Sequence, residues 1–311
     1  MSSIEKAIER LAKTKATNLK KPDSAQPSPS DNPEESRPRS SIDSYEVEAR
    51  QPPQEQKPPV SPPEASPRKA KPNQKITLDY KALAALGYAV PDSESKQLAE
   101  EYRIIKRPVV MNAFGKGAAP IEHGNLISIA SSLPSEGKTF TALNLGMSIA
   151  SEMDATVLLI DGDVIKASLT KLIGADSNRG LIDLLEDTEC KVNDVILDTQ
   201  NPKLKIIPAG TRSAQSTELL ASQAMERLLA ELAERYRDRI ILFDSPPILA
   251  TSEASVLNHL MGQVLLVVEA GGTPVDAVKD AISRLDTDKA VGLVLNKSRN
   301  SKAGGYLGSY Y

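Results

Sequence analysis

The stretch Ser131-Ser132-Leu133-Pro134-Ser135-Glu136-Gly137-Lys138-Thr139-Phe140-Thr141 constrains this chain more than any other. Before it runs the apolar segment Leu126-Ile127-Ser128-Ile129-Ala130, and after it Ala142 to Ala150 repeats apolar residues at helical spacing. A strand that passes through a tight loop ending in Gly-Lys-Thr into a helix is the setting of a phosphate-binding loop. Loop N–H groups and the helix N-terminus face the anion there. In that geometry Lys138 reaches the β- and γ-phosphates of ATP and the Thr139 hydroxyl ligates Mg²⁺. Ser135, Glu136, Gly137, Lys138, Thr139, Phe140 and Thr141 are the expected nucleotide-binding residues. Ser132 departs from the strict pattern, because it stands where the first Gly belongs.

Strand and helix patterns alternate around this loop. Strands are predicted over 125–130, 155–160, 204–208, 239–243, 263–268 and 290–295, with helices over 138–152, 216–235 and 274–285. Val157 to Ile160 and Ile240 to Phe243 are apolar without a break, as expected when both faces of a sheet are covered. The fold class is therefore α/β, a doubly wound and mainly parallel sheet of the P-loop NTPase type. Ligands bind at the carboxyl ends of such strands.

Acids stand at those ends. Asp161-Gly162-Asp163 follows Val157 to Ile160, and Asp244-Ser245-Pro246-Pro247 follows Ile240 to Phe243. Carboxylates at the ends of apolar strands are costly unless a cation compensates. Asp161 and Asp244, with Thr139, are the expected Mg²⁺ ligands, and Asp163 is placed to orient or deprotonate a hydroxyl nucleophile. Asn296, at the end of the last strand, carries an amide able to read an adenine edge.

Outside this core the composition changes. Residues 1–19 include a short amphipathic stripe of Ile4, Ala7, Ile8, Leu11 and Ala12, read as a docking helix for a partner or a membrane surface. Residues 20–75 hold 13 of the 22 prolines and almost no apolar side chains, which predicts a disordered, extended linker. The folded domain is expected over 76–297. Its helix at about 96–107, ending near Pro108, sets Glu100, Arg103 and Lys106 on one face as a stripe of mixed charge. Residues 298–311 lack a core-forming pattern, yet Tyr306, Tyr310 and Tyr311 are three of only eight tyrosines. On glycine hinges beside a nucleotide site they read as phosphate acceptors. From Lys297 to Tyr306 an extended chain spans about 30 Å, enough to reach its own site or a neighbour's.

A net charge of −3 and a pI near 5.7 give no global basic field, so nucleic acid is not an expected partner. The N-terminus has no apolar run of a secretory signal, and Val264 to Val268 falls far short of the roughly 20 residues that span a bilayer. With the single cysteine Cys190, this points to a cytoplasmic protein.

Together the loop at Ser131–Thr141, the segments Val157–Asp163 and Ile240–Pro247 and the tyrosine tail resemble the bacterial tyrosine kinases, over roughly residues 95–311. Glu101-Tyr102-Arg103-Ile104-Ile105-Lys106-Arg107-Pro108 and the linker are most similar to the exosortase-associated tyrosine autokinases of exopolysaccharide loci. The resemblance implies ATP-dependent autophosphorylation of the tail, in trans, within a ring-shaped homo-oligomer. It implies that Lys138 and Thr139 serve the phosphate loop, Asp161 and Asp163 a second Walker motif and Asp244 the Walker B motif. Glu100, Arg103 and Lys106 correspond to an ExxRxxR oligomerisation helix, with Lys for the last Arg. The implied partner is a membrane polysaccharide co-polymerase, which would recruit the kinase to the inner face of the plasma membrane. An Arg common two residues after the second acid is absent here, where Val164-Ile165-Lys166 follows Asp163.

Two other functions share parts of this pattern. Positioning ATPases of the ParA/MinD type have the same fold and motifs, but their signature lysine falls at Leu133. A non-catalytic nucleotide-binding adaptor would have no need of the intact Lys138, Asp161, Asp163 and Asp244.

Overall fold

The computed structural model describes residues 74–91, 95–286 and 289–298. The chain divides into two units, Met1–Lys69 and Ala70–Tyr311, and every described residue belongs to the second. The docking helix expected over 1–19, nearly all of the linker and the tyrosines of the tail lie outside the described residues.

Strands β1 (Gln74–Lys75), β2 (Leu126–Ser131), β3 (Thr156–Asp161) and β4 (Leu197–Asp198) come first in the chain. They are followed by β5 (Leu204–Ile207), β6 (Arg239–Asp244), β7 (Gln263–Glu269) and β8 (Ala290–Asn296). Among the described residues they form one sheet in the order β1-β4-β5-β3-β6-β2-β7-β8, parallel at every pairing except β4 with β5. The sheet begins two residues earlier than composition suggests, because Gln74 and Lys75 pair with Leu197 and Asp198.

Helices α1 (Tyr80–Ala85), α2 (Lys96–Ala113), α3 (Lys138–Ala150), α4 (Ser168–Leu172) and α5 (Leu181–Glu186) precede α6 (Val192–Val195). Then come α7 (Ser216–Leu220), α8 (Gln223–Arg235), α9 (Ser252–His259) and α10 (Val275–Ser283). The apolar run of β3 shows how they are layered. Val157 and Leu159 join a core with Leu143 and Leu145 of α3 and Tyr102 and Val109 of α2. Leu158 and Ile160 point the other way, to a core with Leu181 of α5 and Leu229 and Leu232 of α8. Successive strand residues face opposite sides, and all four are fully buried. Each such side chain contributes about 1.5–3 kcal/mol, which is why no polar residue interrupts the run.

Two predicted helices differ. The helix expected to stop near Pro108 continues to Ala113 as α2. Pro108 removes one N–H from the helix, but tertiary bonds hold the turn beyond it. Gln263 Nε2 donates to Val109 O at 3.1 Å, and Asn112 Nδ2 donates to Gln263 Oε1 at 3.1 Å. The single helix expected over 216–235 is two, α7 and α8. Ser222 lies between them, and its hydroxyl caps α8 by accepting from the Met225 N–H at 3.3 Å.

Lys106 also leaves the place assigned to it. It does not share an exposed stripe with Glu100 and Arg103, which pair with each other at 3.3 Å. It is buried against α3 instead, with Nζ 3.1 Å from Ser148 O and 2.5 Å from Glu152 Oε1. A four-carbon stem reaches inward from an amphipathic helix as readily as outward.

Candidate functional site

The loop leaves β2, which lies between β6 and β7 in the sheet, and delivers α3. Its shape depends on two left-handed residues, Ser135 (φ 69°) and Gly137 (φ 100°). At Gly137 any side chain would be strained at this φ, and its Cβ would lie 1.9 Å from Asn296 Nδ2, forcing that amide off the loop. Ser132 has no such φ, so the loop tolerates a side chain where the strict motif has its first Gly.

The loop is braced from below and from the side. The Leu133 N–H donates to Glu136 Oε2 at 2.6 Å, and the Thr273 hydroxyl donates to Glu136 Oε1. Asn296 Nδ2 donates to Glu136 O at 2.8 Å. Asn296 thus supports the loop through one of its two amide hydrogens. Lys297 Nζ lies 2.8 Å from Ser135 O and 2.9 Å from Glu269 Oε2. Thr273, Lys297 and the bracing role of Glu136 belong to no motif, and sequence reasoning missed them.

The strand-end acids meet the loop. Parallel pairing of β3 with β6 sets Asp161 directly opposite Asp244. Lys138 Nζ stands 2.6 Å from Asp163 Oδ2 and 4.0 Å from Asp244 Oδ1, and the Thr139 hydroxyl donates to Asp244 Oδ2 at 2.6 Å. Asp161 Oδ2 accepts from the N–H and hydroxyl of Thr170 at 2.8 and 2.7 Å. Thr170 is a further residue that sequence did not reveal. Lys138, Asp161, Asp163 and Asp244 are all buried.

Three carboxylates thus share one ammonium. Burial raises the Asp161 and Asp244 carboxyls well above the ordinary range. At Asp161 the Thr170 bonds and Lys138 oppose it while Asp163 adds to it. At Asp244 Lys138 and the Thr139 bond oppose it while Asp161 and Asp163 add to it. Burial acts to lower the Lys138 ammonium, but Asp244, Asp163 and Asp161 outweigh it and hold the group more firmly protonated.

Asp161 Oδ1 and Asp244 Oδ1 are buried without a hydrogen-bond partner. Two orphaned hard oxygens beside a threonine hydroxyl suit Mg²⁺, which is bound by few protein ligands plus phosphate and water. Among the described residues no group of three His, Cys, Asp or Glu side chains is arranged to hold a metal by itself.

A cavity of about 250 Å³ opens on the loop, lined there by Ser135, Gly137, Lys138 and Thr139 and across from them by Tyr88, Lys166, Ser168 and Leu172. Lys166, one residue after the absent arginine's place, therefore borders the phosphate site. Phe140 and Thr141 do not line it: Phe140 packs on the Tyr88 ring, centroids 4.7 Å apart, and Thr141 is fully buried. No helix of the described residues is long and apolar enough to cross a membrane.

Residues 124–285 match the AAA-domain family. The chain is 32% identical over 182 residues to the tyrosine-protein kinase ptk of Acinetobacter johnsonii, covering 58% of this chain and 24% of that one. It is 32% identical over 235 residues to the succinoglycan biosynthesis transport protein ExoP of Rhizobium meliloti, covering 74% and 28%. The chain thus spans about a quarter of the length of these relatives. Among solved structures, the kinase domain of VpsO superposes with a TM-score of 0.51 at 30% identity, covering 64% of this chain and 98% of that domain.

Proposed function

The chain belongs to the AAA-domain family and, within it, to the bacterial tyrosine kinases, and from this we propose that it is an ATP-dependent protein-tyrosine autokinase that phosphorylates Tyr306, Tyr310 and Tyr311 of a neighbouring copy. The observation that carries this reading is the contact of Lys138 with Asp163 at 2.6 Å, next to Thr139 on Asp244.

ATP lies along the loop, with N–H groups and the α3 N-terminus on its phosphates. The phosphates draw the Lys138 ammonium from Asp163 and free Asp163 Oδ2. Thr139, Asp244 and Asp161 would hold Mg²⁺, directly or through water, which when bound neutralises charge on the β- and γ-phosphates. Asp163 then accepts the phenolic proton as the tyrosine oxygen bonds to the γ-phosphorus and the bond to the β-phosphate oxygen breaks, leaving phosphotyrosine and ADP. Because these acids are buried, water competes poorly with a docked tyrosine.

We further propose assembly as a ring through the exposed Glu100 and Arg103 of α2, with Lys106 serving inside the subunit. A membrane polysaccharide co-polymerase would activate the ring and hold it at the inner face of the plasma membrane, regulating exopolysaccharide polymerisation and export. Relatives named for tyrosine kinase activity and for succinoglycan transport support this setting.

Intact-mass spectrometry after incubation with ATP and Mg²⁺ tests the reading. The wild type should gain phosphate on the tail and Lys138→Met should gain none. A wild type that stays unlabelled even with the cytoplasmic segment of its membrane partner present is not a kinase of this kind. Turnover of ATP without labelling would favour the positioning ATPases.

A further inference from the structure

Beyond Asp163 the chain leaves the buried site and comes to the surface. The Lys166 N–H donates to Asp163 Oδ1 at 3.2 Å and the Ala167 N–H to Asp163 O at 2.6 Å, which ties a tight turn to the acid itself. Ala167 closes the turn at φ 47°, in the left-handed region that L-residues enter at a cost. Ile165 and Lys166 are exposed on this turn, and Lys166 also borders the phosphate cavity.

Two more cations are fastened to it. Arg212, from the loop that follows β5, donates through Nη2 to Ile165 O at 2.6 Å. Lys171 of α4 donates through Nζ to Lys166 O. Because these carbonyls belong to adjacent residues, the two cationic heads stand within about 10 Å of each other. Like Lys166, both residues are exposed. Among the described residues no carboxylate forms an ion pair with Lys166, Lys171 or Arg212. Asp163 is taken by Lys138 at 2.6 Å. Asp183, which accepts from the Thr211 N–H at 3.0 Å, faces Arg179 at 3.8 Å. Three like charges gathered around neutral carbonyls repel one another until an anion joins them.

The phosphates of a nucleotide are met in the buried site, by the loop and Lys138, so this outer cluster suits an anion borne on a second segment. The tail supplies one only after it has reacted. Residues 299–311 include Arg299 and Lys302 but no Asp or Glu, so the unmodified tail offers these cations no side-chain anion. Each phosphate brings about −1.5 to −2 charges and three acceptor oxygens, which an arginine can meet in bidentate fashion. We propose that Lys166, Lys171 and Arg212 form a phosphotyrosine site, which holds one modified tyrosine of the tail while another is presented to Asp163. The spacing allows it: Tyr306 and Tyr310 are at most about 14 Å apart along the chain, and Asp163 and Lys166 at most about 11 Å. The first phosphate thereby promotes the next, and label gathers on chains that already carry some. The inference rests on the tail phosphorylation proposed above and adds an order to it.

A fluorescent peptide of residues 301–311, bearing phosphate on Tyr310 or none, is titrated with the full chain, with ADP and Mg²⁺ present to fill the loop. The phosphorylated peptide should bind about tenfold tighter or better, as for a hydrogen bond between charged groups. The double change Lys171→Gln, Arg212→Gln keeps a donor for each carbonyl and removes the charge. It should melt like the wild type and abolish the preference for the phosphopeptide. By intact-mass spectrometry it should gain its first phosphate at the wild-type rate and later ones about tenfold more slowly. A wild type without the preference, or a double variant that retains it, overturns the phosphotyrosine site. So does displacement of the peptide by inorganic phosphate at a concentration near the peptide's own Kd, which would mean a site for the free anion alone. A wild type that gains a single phosphate but shows no preference leaves the kinase reading standing, whereas one that gains none overturns that reading as well.

Discussion

Lys138 and Asp163 hold each other at 2.6 Å, with side chains only 7% and 2% exposed. The lysine that serves the phosphate also serves as internal counter-ion when no phosphate is bound. Removing it should therefore do more than abolish transfer. Lys138→Met leaves three buried acids without their cation, and breaking a buried pair costs about 3–5 kcal/mol. The variant should melt well below the wild type at pH 8, and the deficit should shrink at pH 6 as the acids take up protons.

The nucleotide-free protein should have an unusual pH dependence. The Asp244 carboxyl is raised to about 7 in the fold, against an ordinary value near 4 when unfolded. Between those values the folded state binds more protons than the unfolded state, so stability rises as pH falls from about 7. Asp244→Asn should flatten that slope in thermal melts from pH 5 to 8. It should also stabilise the empty protein at pH 8 while eliminating labelling with ATP and Mg²⁺.

Asn296 should act on the loop and not on the base. Its Nδ2 bond to Glu136 O at 2.8 Å would be lost in Asn296→Ala. We expect ATP and GTP to be weakened by the same factor, about three- to tenfold, in parallel calorimetric titrations. A selective loss of ATP would instead mean that the amide reads adenine.

The two ends of the charged motif on α2 should separate by experiment. Lys106→Ala removes the bonds to Ser148 O and Glu152 and should lower the melting temperature by a few degrees without changing the oligomer. The double change Glu100→Ala, Arg103→Ala affects only exposed groups. It should leave the melting temperature within a degree or two while shifting sedimentation toward smaller species.

What could be read from the sequence has a common physical basis. The strands of the sheet centre are covered on both faces, so Val157 to Ile160 and Ile240 to Phe243 announced themselves, and the acids after them marked the carboxyl ends. Lys138 and Thr139 were legible because a loop that holds phosphate needs a particular order of residues. What escaped depends on the direction of side chains after tertiary packing. Nothing local says that Lys106 turns inward, that Thr170 reaches Asp161, or that Tyr88 comes back over α3. Pro108 misled because its effect on an isolated helix is offset by Gln263, 154 positions from Val109. Ser132 looked like a defect only because the motif's glycine is a statement about backbone angle, and here that angle is required at Ser135 and Gly137 instead.

Lys297 reaches 162 positions back to clasp the Ser135 carbonyl, while the tyrosines proposed to be modified follow it in the chain. The hinge of the loop is thus fastened by the final basic side chain before the tail. A chain ending at Asn296 would release that fastening and lose nucleotide along with the tail. A chain ending at Ser298 would keep the nucleotide and lose only its substrate, so two stop codons two residues apart divide an empty enzyme from an idle one.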